Sequence, residues 1–137
     1  MHIHIDPHSG LAIYEQIVRA VKFAVAHGAL VPGNRVPSVR ELSVQVAVNP
    51  NTVARAYRDL QTEGVLSPVR GTGLEVSPAA VALCRKHRAE MLRERLRSLI
   101  NEAVHNAVPL DELQALFAEE IEKCTTKAPR HKEKTRV

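Results

Sequence analysis

Aromatic residues are scarce. The chain has no Trp, two Tyr and two Phe, so a core has to be built from Val, Leu, Ile and Ala, which suits small packed helices. Cysteine is almost missing as well. Cys84 and Cys124 are the only two, and two widely spaced cysteines make neither a disulfide framework nor a zinc finger. Both are expected to be reduced packing residues in a cytoplasmic protein. No apolar run approaches the ~18–20 residues that a membrane helix needs, so no membrane association is expected. The opening MHIHIDPHSG lacks a basic stretch followed by an apolar one and is not read as a secretory signal. Catalytic signatures are missing too. No Ser/His/Asp order or paired-carboxylate motif stands out, and Gly71-Thr72-Gly73 is too short for a nucleotide loop and has no helix directly after it. The expectation is a non-enzyme with no catalytic residues, no metal and no cofactor.

Excess charge is absent from most of the chain. The net charge is +4 over 137 residues. Residues 1–78 carry seven basic and six acidic side chains, residues 79–122 six and eight, and residues 123–137 six and one. The C-terminal tail therefore supplies the whole excess. Overall charge is poor evidence for a nucleic-acid partner of the folded part, and that case has to rest on where individual residues fall.

What is present is a sequence of well-marked elements. Ile3 and Ile5 alternate with His2 and His4, the pattern of a short strand, and Asp6-Pro7 breaks it. From Leu11 to about His27, Ile13, Ile17, Val21, Ala24 and Val25 recur at helical spacing, and Gly28 follows as a C-cap. Arg19 and Lys22 on this helix read as solvated charges. After a connector punctuated by Pro32, Gly33 and Pro37, Ser38 and Glu41 form a capping box that starts a second, short helix ending near Val46. Ala47-Val48-Asn49-Pro50 is a tight turn. Asn49 can cap the third helix, and Pro50 fits its first position, where no amide donor is needed. Val53, Ala56, Tyr57 and Leu60 form its inner face, and Gly64 ends it. Residues 65–69 and 74–76 then read as two short strands around Arg70-Gly71-Thr72-Gly73, the shape of a wing. A long helix over about 79–107 and a shorter one from Leu110 follow, separated by Pro109. Residues after about Cys124 have no apolar pattern and are read as a disordered tail.

A short helix, a turn and a second helix make the helix-turn-helix unit. In its DNA-binding form the second helix enters the major groove, and its N-terminal residues meet base edges. With Val53, Ala56, Tyr57 and Leu60 turned inward, the outer face shows Asn51, Thr52, Arg55 and Arg58. Asn can bond adenine bidentately, Thr offers a hydroxyl and a methyl, and Arg reaches guanine or phosphate. Arg40 sits at the start of the preceding helix, and Arg70 beside Gly71 puts a cation at the wing tip. The same spacing also occurs in ordinary helical proteins, so a winged-helix protein-interaction module without specific DNA binding stays open as the alternative.

The motifs Ile13-Tyr14-Glu15-Gln16-Ile17, residues 32–42 (PGNRVPSVREL), residues 49–57 (NPNTVARAY), Glu63-Gly64 and Arg70-Gly71-Thr72-Gly73 together resemble the winged-helix domain of GntR-family bacterial regulators. The short remainder after Val76, with its Asn-Pro-Asn-Thr-Val run, is similar to the YtrA-like subfamily. The resemblance implies a sequence-specific transcription regulator: a homodimeric repressor of a palindromic operator, often that of a transporter operon. It implies contacts with bases and phosphates from Arg35, Ser38, Arg40, Asn51, Thr52, Arg70 and Gly71. Two departures stand out. Ala54 occupies a position where many members carry a basic residue, and Leu74-Glu75 replaces the usual Thr and aromatic residue of the wing; Arg55 is the nearby cation that could substitute for the first.

The expected fold is mainly α with a small β-wing. Residues 1–76 form the winged helix-turn-helix DNA-binding domain, 77–124 a two-helix dimerisation segment, and 125–137 a basic tail. A long helix cannot bury all its faces against one small domain, so Leu92, Leu96, Leu99 and Ile100, joined by Leu113 and Phe117 of the last helix, are the expected dimer interface. No large pocket-bearing domain follows the wing. A small-molecule effector would therefore have to bind between the C-terminal helices or at the dimer interface. His2, His4 and His8 lack the Cys or carboxylate cluster of a structural zinc site, and surface histidines are the simpler account. The basic tail is either a salt-sensitive attraction to DNA or an inert solubilising segment.

Overall fold

The computed structural model describes residues 1–127 of the chain. Its elements are α1 (Ile13–Ala26), α2 (Val39–Val46), α3 (Pro50–Thr62), β1 (Leu66–Pro68), β2 (Leu74–Val76), α4 (Ala80–His105) and α5 (Leu110–Lys127). The fold is mainly helical with a two-stranded antiparallel wing, Leu66 pairing with Val76 and Pro68 with Leu74. Two compact units divide it, Met1–Leu92 and a second starting at Arg93, so the boundary falls inside α4.

The core of the first unit is aliphatic, as the lack of aromatics requires. Ile17, Val21 and Val25 of α1 join Leu42 of α2, then Val53, Ala56, Tyr57 and Leu60 of α3, then Leu66, Val76, Ala80 and Cys84. Removing apolar area from water stabilises by roughly 25 cal/mol per Å², and this cluster is what fixes α1, α2 and α3 together.

Backbone chemistry sets the helix ends. Three helices close on the same motif, in which two amides beyond the helix return to carbonyls of its last turn. Val65 N–H bonds the Leu60 carbonyl at 2.9 Å, Val48 N–H that of Ser43 at 3.0 Å, and Val108 N–H that of Ala103 at 2.9 Å. The motif needs a left-handed residue. Gly64 supplies it after α3, but Ala47 after α2 and Ala107 after α4 adopt φ of 55° and 57° without being glycine. Such a conformation costs about 1–2 kcal/mol, so the surrounding packing has to hold both turns.

Four expectations need correction. Ile3 is buried and Ile5 half-buried against the core, with His2 and His4 exposed, yet no strand forms there. The chain is turned instead by Gln16, whose side chain accepts from Asp6 N–H at 2.8 Å and donates to the Asp6 carbonyl at 2.9 Å. The connector before Ser38 is more than a loop. Gly33 N–H bonds the Val76 carbonyl, Val36 N–H bonds the Leu74 carbonyl, and Arg35 bridges Glu75, so residues 33–36 add a third edge to the wing. Lys22 is not solvated: it is 7% exposed. Its ammonium pairs with Glu63 and lies 2.6 Å from His87 Nδ1, linking α1, the end of α3 and α4. Last, α5 runs past Cys124 to Lys127, its final turn closed by Thr125 and Thr126 hydroxyls donating to the Ile121 and Glu122 carbonyls. The rest of the expected tail lies outside the described residues.

Cys84 and Cys124 are both free; the first is buried and the second exposed, so only Cys84 is a packing residue in this chain. Burial pushes the Cys84 thiol pKa up. Among the described residues no helix is long and apolar enough to cross a membrane.

Candidate nucleic-acid interface

The helix-turn-helix is built from three local devices. Ser38 caps α2: its Oγ accepts from Glu41 N–H at 3.0 Å, and Glu41 Oε1 accepts from Ser38 N–H at 2.8 Å. Donation from the Ser38 amide, and secondly from the Ser38 hydroxyl, holds the Glu41 carboxyl below its ordinary value. Ala47, left-handed, turns the chain after α2. Asn49 then caps α3, accepting from Asn51 N–H at 2.8 Å, with Pro50 at the start of the helix. A fourth bond fixes α3 against the entry to α2. The Tyr57 hydroxyl donates to the Pro37 carbonyl at 2.7 Å. Burial of that phenol pushes its pKa well above the ordinary tyrosine range.

This frame exposes the N-terminal half of α3. Asn51, Arg55 and Arg58 are exposed and Thr52 is half-buried, while Val53, Ala56, Tyr57 and Leu60 face the core. Arg40, in the first turn of α2, is exposed; Arg35 is exposed too, and Ser38 is exposed enough to be reached beside the cap. Arg70 and Gly71 form the exposed wing loop. Gly71 has φ of 98°, and a Cβ at that position would meet no other atom, so backbone conformation rather than crowding calls for glycine there.

Two features of this surface have no signal in the sequence pattern. Arg55 is not a simple outward cation: its guanidinium lies 3.7 Å over the Tyr14 ring of α1. Such stacking leaves its N–H edges available while restricting the side chain. Arg35 sits opposite Glu75 in the added edge of the wing. Pairing between a connector and a strand far along the chain leaves no periodic signature, and neither does a stack between side chains 41 residues apart.

The sequence pattern of the gntR family of bacterial regulatory proteins matches residues 13–76, from the start of α1 to the end of β2. The HTH-type transcriptional repressor YtrA of Bacillus subtilis (strain 168) is 38% identical over 117 residues, covering 85% of this chain and 90% of that protein. The chain belongs to the GntR family. As a GntR-family protein it is a transcription regulator with a DNA-binding helix-turn-helix domain, and not an enzyme. The fold agrees with solved transcriptional regulators. A transcriptional regulator from Oenococcus oeni superposes with a TM-score of 0.68 at 27% identity, over 82% of this chain and 98% of that one. YtrA from Sulfolobus acidocaldarius, a GntR-family transcription factor, gives 0.52 at 34% identity, over 74% and 95%.

Proposed function

We propose that this GntR-family regulator is a homodimeric repressor that reads a palindromic operator in the cytoplasm, with a transporter operon as one natural target. The observation that carries the reading is the doubly capped α2–turn–α3 unit, which leaves Asn51, Thr52 and Arg40 at the N-terminal ends of two helices. Side chains at those ends sit beside unsatisfied backbone amides, where phosphate is favoured, and Asn and Arg carry the donor patterns that distinguish base edges. Arg35, Ser38, Arg55, Arg70 and Gly71 extend the surface along the wing and α3. Similarity to the YtrA repressor supports repression rather than activation.

The dimeric reading is supported by the second unit and the end of the first. Leu92, Leu96, Leu99, Ile100 and Phe117 are exposed and Leu113 is half-buried. Stripes of this kind in water favour association. Two-fold symmetry would carry two copies of α3 to half-sites about one DNA turn apart.

The test is a mobility shift and footprint on the DNA upstream of the protein's own operon, with excess unrelated competitor at near-physiological salt. Asn51→Ala and Arg40→Ala are each expected to cost about 1–3 kcal/mol of operator affinity, with circular dichroism unchanged. Normal footprints from both variants overturn the assignment of contacts. A wild-type smear that vanishes with competitor favours a protein-interaction module instead.

A further inference from the structure

The Arg55 guanidinium lies 3.7 Å over the Tyr14 ring, tying α3 to α1. That is well inside the ~6 Å within which a ring face attracts a cation. A face-on stack covers one side of the guanidinium plane, and the N–H donors, which point outward in that plane, stay unused. Among the described residues Arg55 forms no ion pair. A partner is nevertheless at hand. Asp59 stands four residues further along α3, the spacing at which Asp and Arg meet on a helix surface. Asp59 and Glu15 also line the same cleft as Tyr14. The guanidinium rests on an uncharged ring with carboxylates close by, and so keeps its full charge.

That charge is placed where the interface has little else. Arg55 shares the face of α3 that carries Asn51 and Thr52, four residues from the first and three from the second. It stands about 6 Å further along the helix axis than Asn51. The first turn of a recognition helix meets base edges, and cations beyond it meet the phosphates that flank the groove. Ala54 beside it is half-buried and uncharged, and Arg55 is the only cation among residues 50–57.

We infer that Tyr14 is a positioning residue for operator binding: its ring holds the Arg55 guanidinium clear of Asp59 and aimed at a backbone phosphate. This rests on the operator-binding reading and adds a residue of α1 that does its work through α3. A free arginine gives up rotamer freedom when it binds, and one already ordered on a ring gives up less. Ordering one such side chain in advance is worth about two- to tenfold in affinity.

Fluorescence anisotropy with full-length variants, on the DNA fragment that the wild type footprints, tests the role. Tyr14→Leu is expected to weaken binding about two- to tenfold, and Tyr14→Phe, which keeps the ring, to bind like the wild type. An equal loss in both overturns the inference, because the hydroxyl and not the ring would then matter. Arg55→Ala is expected to weaken binding about tenfold or more. It is also expected to make the salt slope shallower by about 0.9, the share of one phosphate; an unchanged slope overturns the phosphate contact. Adding Tyr14→Leu to the Arg55→Ala chain is expected to change nothing further. A second loss of the same size there would mean that Tyr14 acts only through the fold, and overturns the inference. Asp59→Asn is expected to raise affinity more in the Tyr14→Leu chain than in the wild type, since the freed guanidinium turns to that carboxylate; equal gains overturn the part given to Asp59. Asn51→Ala separates the two readings. If it weakens binding while Arg55→Ala does not, operator binding stands and the role of Tyr14 falls. A wild type that forms no specific complex removes both.

Discussion

The Tyr57 hydroxyl spans from α3 to the Pro37 carbonyl, one residue before the cap of α2. That bond is part-buried, so its removal leaves a carbonyl without a partner. Tyr57→Phe is expected to cost about 0.5–1.5 kcal/mol in denaturant unfolding. The raised Tyr57 pKa carries its own sign. The folded state holds the phenol proton more tightly than the unfolded state, so this stability is complete below the unfolded value of about 10 and declines as pH rises above it. Tyr57→Phe removes that alkaline component. Lys22 shows the same logic for charge. A cation this deep in a small domain costs several kcal/mol unless it is paired, and Glu63 and His87 are the partners.

At the scale of elements, the caps decide where α2 begins and ends. Glu41 has a lowered pKa because its carboxylate accepts from the Ser38 amide. A depressed carboxylate contributes stability above its unfolded value of 4.5 and loses it as pH falls through the lower folded value. The first turn of α2 is therefore expected to fray below pH 4.5, read as reduced exchange protection, relative to the intrinsic rate at each pH, at Glu41 and Leu42. Ser38→Ala removes the partner hydroxyl, which costs about 1 kcal/mol, and leaves the amide bond to the Glu41 carboxylate, the larger source of the acid dependence, in place. Exchange protection in the wild type that does not change through this acid range would show that the box contributes nothing. The turn after α2 has a different origin. Ala47 is not a residue that seeks a left-handed conformation; the returning Val48 amide and the packing of α3 impose it.

For the molecule as a whole, charge is distributed unevenly. The first 78 residues are nearly neutral, with seven basic against six acidic side chains, while residues 123–137 carry six against one. Specific recognition by the proposed interface therefore rests on a few placed cations, while the excess positive charge lies in the C-terminal end. Removing residues 128–137 is expected to leave operator preference intact. The salt slope of nonspecific DNA affinity should become shallower, by about 0.9 for each phosphate that the segment neutralises. Titrations at several salt concentrations decide it: an unchanged slope would mean that the segment does not touch DNA.

Much of this protein was legible in its sequence. The capping box at Ser38, the Asn49-Pro50 start of α3, the glycine-bounded wing and the break at Pro109 are local signals, and each depends on backbone bonds within a few residues. The exposed positions 40, 51 and 58 followed from the 3.6-residue period, because knowing which side chains face inward settles which face out. The aliphatic core followed from the lack of aromatics. Tertiary structure alone decided the rest. It placed residues 33–36 on the edge of the wing, buried Lys22 against Glu63 and His87, laid Arg55 over Tyr14, and turned Ile3 inward without a strand. In each case the partner is far away along the chain, and neither periodicity nor propensity carries information about a contact made only when distant elements pack.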